Sequence, residues 1–151
     1  MKQSALMLFI PLLLISSCSQ DDSEEQKQEI DKNIELYVYY QSKDYINETF
    51  MPDFEATVYV YFDIILNEPF TLEENGVIKI TKTKQLINPM QAGKVNENGY
   101  LSINPLHRDK AVLIIVESNY YSGIFAKTSF YNCNEKNIAT FKFTNHIYFT
   151  R

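Results

Sequence analysis

The chain has 151 residues, 45% of them hydrophobic and 22% charged, which suits one domain that buries a core and is too short for two ordinary ones. Nineteen acidic residues against fourteen Lys and Arg give a formal net charge of −5. With no basic stripe, electrostatically driven nucleic-acid binding is excluded.

The first feature along the chain is a leader. Lys2 supplies a positive n-region, and residues 6–15 supply a short apolar h-region of signal-peptide type. A bilayer span needs about twenty apolar residues, and this run is shorter and interrupted by Pro11. Small residues Ser16 and Ser17 then lead into Cys18. The motif Leu14-Ile15-Ser16-Ser17-Cys18 resembles the lipobox of bacterial lipoproteins. That resemblance implies a signal peptide over 1–17, cleavage just before Cys18 and acylation of the Cys18 sulfur. The family typically carries several acyl chains there, and two or more make a membrane anchor stable. With Cys18 lipidated, Cys133 is the one thiol left in the mature chain, so no intramolecular disulfide forms. Cys133 is expected as a small apolar residue packed in a sheet.

Residues 18–33 form an acidic tether. Asp21, Asp22, Glu24, Glu25, Glu29 and Asp31 outweigh Lys27 and Lys32, and Ile30 is the segment's one aliphatic residue. Such composition buries too little surface to offset the entropy of ordering, so a flexible segment is expected. Ser19-Gln20-Asp21-Asp22-Ser23-Glu24-Glu25 also resembles the acidic export signal that follows the lipidated cysteine in Bacteroidota lipoproteins. The resemblance implies the outer face of the outer membrane. An ordinary solvated charge run, holding the domain off the headgroups, is the alternative.

From Ile34 the pattern changes to period two, the strand signature, and the domain is expected over 34–151. Ile34, Leu36, Val38 and Tyr40 share one face, with Glu35, Tyr37 and Tyr39 opposite. Residues 41–50 read as a helical turn or a loop. Ala56, Val58, Val60 and Phe62 alternate with Thr57, Tyr59, Tyr61 and Asp63. Further strands are predicted over 77–83, 100–103, 111–118, 124–130, 138–143 and 146–150. The stretch 84–97, with Pro89 and Gly93, reads as a long connection holding at most a short edge strand, and Lys79, Lys82 and Lys84 are candidates for blunting an edge. Asn75-Gly76 and Asn98-Gly99 are turn dipeptides, because both residue types tolerate positive φ. Seven to eight short strands separated by turns predict an all-β, antiparallel, Ig-like or transthyretin-like β-sandwich.

Three stretches carry a family resemblance. Glu55-Ala56-Thr57-Val58-Tyr59-Val60-Tyr61 resembles the opening strand of carboxypeptidase-regulatory-like and transthyretin-like sandwiches. Asn96-Glu97-Asn98-Gly99-Tyr100-Leu101-Ser102-Ile103 resembles their turn and following strand. Val112-Leu113-Ile114-Ile115-Val116-Glu117-Ser118-Asn119-Tyr120-Tyr121 resembles the next strand with its aromatic-ended turn. The resemblance implies a binding, spacing or folding module without catalytic residues, and residues 63–97 stand as a long insertion in it.

Chemistry-bearing residues are few. His107 lies in a polar turn and His146 after Thr144-Asn145, both expected as solvated. No His-x-His, Cys-x-x-Cys or Glu-x-x-His spacing is present to hold a transition metal, and no cofactor is expected. The carboxylate pairs Asp53/Glu55 and Glu73/Glu74 are expected at the surface, since nothing in the pattern places them across a cleft. The constellation that stands out is aromatic. If the aliphatic faces of the first two strands enter the core, Tyr37, Tyr39, Tyr59 and Tyr61 point outward. Were those strands neighbours, the rings would form a ladder suited to a protein partner or to the C–H face of sugars. Cross-strand stabilisation, or cover by residues 63–97, is the structural alternative. Tyr120-Tyr121 is a second, weaker candidate. The expected function is a non-catalytic, lipid-anchored envelope module that binds or assembles at the outer membrane. A glycan-binding module or a small fimbria-like subunit are the alternatives.

Overall fold

Alternating apolar and polar residues favour strands, because only then does one row of side chains leave water while the other stays in it. A computed structural model describes residues 33–42, 49–133 and 135–144. Cys18, the tether up to residue 32, most of the segment 41–50 and the strand expected at 146–150 lie outside the described residues.

The described residues form β1 (Ile34–Gln41), β2 (Phe50–Pro52), β3 (Thr57–Phe62), β4 (Phe70–Leu72), β5 (Ile78–Ile80), β6 (Leu86–Ile87), β7 (Gln91–Lys94), β8 (Tyr100–Ile103), β9 (Val112–Glu117), β10 (Phe125–Phe130) and β11 (Asn137–Phe143). The strands beyond the expected seven or eight are the short pieces β2, β4, β6 and β7, of two to four residues each. Residues 84–97 therefore hold two strands where at most one was expected. Lys79 lies in β5, the central strand of its sheet, and pairs with Glu73 at 3.9 Å, while Lys82 and Lys84 lie in the turn that follows, so these lysines do not guard an edge strand.

Three sheets result. In the first, β1 is central: β11 pairs with it on one side, and β8 and β2 pair with successive halves of its other side. The second has the order β10-β9-β3-β7, and the third β4-β5-β6. All pairings are antiparallel except β1 with β11, which run parallel. A parallel pair needs a long crossover, and nearly the whole domain lies between these two strands.

The first two sheets pack face to face as a sandwich. Ile34, Leu36 and Val38 from β1, with Phe141 and Phe143 from β11, meet Val58 and Val60 from β3 and Val112, Ile114 and Val116 from β9. Each such burial stabilises the fold by about 1.5–3 kcal/mol before ordering costs. Cys133 is buried in this core as expected, although it lies in the β10–β11 connection and not on a strand, and burial pushes its thiol above the ordinary range.

The third sheet, built from residues 70–87, covers the other face of the second. Leu72, Ile78 and Ile80 pack on Tyr59, Tyr61, Leu113, Ile115 and Phe125. The inner strands β3 and β9 are thus buried on both faces, so the sandwich has a third layer. The Asn75-Gly76 turn anchors that layer. Both residues take positive φ, 57° and 75°, and a Cβ on Gly76 would lie 2.3 Å from the Tyr59 ring. At the second turn only Gly99 has positive φ. Its N–H donates to the Asn96 carbonyl at 2.9 Å, while the Asn96 side-chain oxygen accepts from the Asn98 and Tyr100 amides.

Candidate functional site

The outer face of the first sheet is set by the alternation of β1. Since Ile34, Leu36 and Val38 enter the core, Glu35, Tyr37, Tyr39 and Gln41 project from the opposite side, and residues facing each other across a ladder share a face. The register places Tyr100 of β8 beside Tyr37, and Ser102 beside Glu35. On the other side of β1 it places Ile138, Thr140 and Lys142 of β11 beside Glu35, Tyr37 and Tyr39. From β2 it adds Pro52 beside Tyr39 and Phe50 beside Gln41.

The centre of this face is aromatic. The rings of Tyr37 and Tyr100 lie 5.3 Å apart at 49°, a tilted pair, and both side chains are half-exposed, as are Tyr39 and Phe50. The Lys142 ammonium sits 4.9 Å over the Phe50 ring, a cation–π contact at one end of the row. At the other end Glu35 and Lys136 form an ion pair at 2.9 Å. Rings that present both a π-face and a hydroxyl, flanked by one cation and one ion pair, suit a flat partner that offers apolar surface and hydrogen bonds together.

Of the four tyrosines singled out in the sequence, Tyr37 and Tyr39 lie on this face. Tyr59 and Tyr61 do not, and the four-ring ladder is not formed. They are on β3, in the other sheet, and are 7% and 1% exposed under the third layer. The Tyr61 hydroxyl donates to the Gly76 carbonyl, and burial, with Tyr59 close by, pushes the Tyr61 hydroxyl far above its ordinary value. The Tyr59 hydroxyl donates to Glu117 at 3.5 Å. Cover by residues 63–97, the structural alternative, is what these two rings receive. Tyr100, Phe50 and Lys142 were missed. The signal for Tyr100 was present in the alternation of Tyr100-Leu101-Ser102-Ile103, but which strand lies beside β1 is a long-range fact.

Tyr120 and Tyr121 belong to a separate cluster at the end of the sandwich. Tyr40 stacks on Tyr120 with centroids 3.9 Å apart, and Tyr121 meets Tyr120 edge-on at 4.9 Å. The Tyr121 hydroxyl donates to the Gln41 carbonyl at 2.6 Å. Beneath them Asp53 is 1% exposed, which corrects its expected surface position, whereas Glu55 is exposed. The Asp53 carboxylate accepts from the Ser118 hydroxyl at 2.5 Å and the Tyr120 amide at 3.1 Å. Burial pushes the Asp53 carboxyl up, against the pull of the hydrogen bonds from Ser118, Tyr120 and Asn119. The cluster latches β1 and the segment after β2 to the β9–β10 turn. His107, expected as solvated, is half-buried, its ring edge-on to Phe62 at 5.1 Å. His146 lies outside the described residues.

A cleft of about 400 Å³ opens between the loop 63–68 and the third sheet, with Ile64, Leu66, Ile80 and Ile87 among its lining residues. Among the described residues no group of three or more His, Cys, Asp or Glu converges on a point where a metal ion would sit. No family model, no curated protein and no solved structure matches this chain.

Proposed function

We propose that this chain is a non-catalytic, lipid-anchored module of the bacterial cell envelope, held at the outer membrane through Cys18, that binds a protein partner through the outer face of its first sheet. The observation that carries the binding reading is the half-exposed Tyr37–Tyr100 pair, extended by Tyr39 and Phe50 on the same face. Tyrosine is enriched at protein interfaces because it covers a large area with few rotatable bonds and keeps a polar handle. The lipobox and the acidic segment after it support the anchor and the surface address; their weight rests on resemblance.

A second reading has its own support. Adjacent tyrosine rings on one sheet face are also a docking platform for a glycan, with C–H surfaces on the rings and hydroxyls at their edges. Paired variants separate the two. Tyr37→Ala combined with Tyr100→Ala should lower binding about tenfold or more, the usual cost of truncating interface anchors, with little change in melting temperature. Under the first reading, one dominant protein that co-purifies after mild detergent extraction is lost from the variant. Under the second, retention in polysaccharide gels is lost instead. Unchanged behaviour in both assays would remove the face from consideration. A ladder of polymers in unboiled gels would favour a fimbria-like subunit.

A further inference from the structure

The first sheet ends in β11, which pairs with β1 alone, leaving one side of its backbone without a ladder partner among the described residues. Such an edge is a template for another strand. β11 is Asn-Ile-Ala-Thr-Phe-Lys-Phe, seven residues with no Pro or Gly and a single charge, Lys142. Within these seven residues that lysine is the one device that discourages pairing.

We propose that β11 pairs antiparallel with β11 of a second copy, centred on Thr140, so that two first sheets merge into one. Parity allows this partner, and the side chains that meet select its register. In an antiparallel pair, residues directly opposite point to the same face. Pairing all seven residues about Thr140 sets Asn137 against Phe143, Ile138 against Lys142 and Ala139 against Phe141, so core-facing positions meet core-facing positions. The exposed row becomes Ile138, Thr140 and Lys142 against Lys142, Thr140 and Ile138. Each lysine meets an aliphatic side chain of the other copy, and small Ala139 faces large Phe141. Neighbouring registers fare worse. Centring on Ala139 sets Lys136 against Lys142, centring on Phe141 sets that ring against itself and pairs only residues 139–143 of the strand, and centring on Lys142 sets that lysine against itself.

The same rule disfavours the other long open edge. β10 has six residues, and pairing all six with themselves would set Phe125, which faces the third sheet, against Phe130, which packs against the main core. Registers that keep the faces matched leave one end residue of β10 unpaired, so at most five of its six residues join the ladder. At β7 the Gln91 side chain binds the Asn104 carbonyl and the Leu106 amide, tying residues 104–106 to that strand.

A two-fold axis perpendicular to the merged sheet leaves both aromatic faces on the same side. The two β1 strands would stand three strand spacings apart, about 14 Å. If the face binds as proposed above, the pair presents two platforms to one repeating partner, and avidity follows without a new contact. The pairing itself does not depend on that reading.

Cysteine scanning in the full-length, membrane-inserted chain tests it. Directly opposed residues in an antiparallel pair have Cα atoms about 4.5–5.5 Å apart, within disulfide range. Under mild oxidation T140C should give a disulfide-linked dimer on a non-reducing gel, beyond any background from Cys18 and Cys133 in the parent chain. I138C should not, since its two copies would lie about 14 Å apart along the strands. Adding I138K to T140C should abolish the link by setting lysine against Lys142, whereas adding I138E should preserve it. Ile138 is exposed, so neither change disturbs the core. Absence of the T140C dimer would overturn the proposal, as when the chain's own segments cover the edge. Equal linking by T140C and I138C would do the same, by showing random collision.

Discussion

Asp53 holds a carboxylate where water is nearly excluded, and its neighbours only partly compensate. Hydrogen bonds from the Ser118 hydroxyl and from the Tyr120 and Asn119 amides reach its oxygens, yet no lysine or arginine ion pair does among the described residues. Desolvation is the larger influence, so the folded state holds the proton more tightly than the unfolded chain, whose carboxyl titrates near 3.8. The folded protein then binds more protons in the window above 3.8, and stability falls as pH rises through the raised value. Asp53 therefore costs stability when ionised at neutral pH, and acidification toward 3.8 relieves that cost. The expected outcome is that the melting temperature of the parent chain gains on that of Asp53→Asn as pH is lowered from about 7 to about 4. Parallel curves for the two proteins would mean that this carboxyl does not titrate abnormally. Its role as a latch was not legible in the sequence, because Asp53 and Ser118 are brought together only by the packing of distant segments.

Period and burial agree in some strands and part in others. In β1 the alternation reports a sheet with one wet face, and there the sequence reading and the structure coincide. In β9 the run Val112-Leu113-Ile114-Ile115-Val116 has no alternation, and all five residues are buried. An unbroken apolar run bounded by turns is the mark of a strand covered on both faces, so the second cover was written into β9. β3 conceals the same situation, because tyrosines occupy the row that faces the third sheet. Ile114 and Ile115 offer the test at this scale. Each is fully buried, one toward the first sheet and one toward the third layer. Truncation of either to alanine should cost about 2–5 kcal/mol, measured by denaturant unfolding. A two-layer sandwich would tolerate the change at Ile115 with little loss.

For the whole molecule, the charge is concentrated ahead of the domain. Residues 18–33 carry a formal −4 and residues 34–151 only −2. Under the proposed anchor, a segment of that sign would be repelled by anionic headgroups and would hold a nearly neutral domain away from them. Under the proposed surface address, proteinase K applied to intact cells should remove the domain, with a periplasmic protein protected as the leakage control. Protection until the outer membrane is breached would move the search to periplasmic partners and remove the surface-glycan and fimbrial readings.

The sequence by itself determined that the domain is all-β, where two of its sharp turns fall and which side of β1 enters the core. These follow from local chemistry: glycine at positive φ, and apolar side chains leaving water every second residue. It could not decide the fate of Tyr59 and Tyr61. A tyrosine row satisfies a solvent-facing sheet and a covered one equally well, since its ring is apolar and its hydroxyl needs only one partner. In β3 that partner is the Gly76 carbonyl for Tyr61 and Glu117 for Tyr59, supplied by segments 15 and 58 residues away. On β1 no layer lies over Tyr37 and Tyr39 among the described residues, and Tyr100 arrives beside Tyr37 through the β8 register. The same residue type is core on one strand and surface on the other, because sheet order and the third layer are settled by long-range packing.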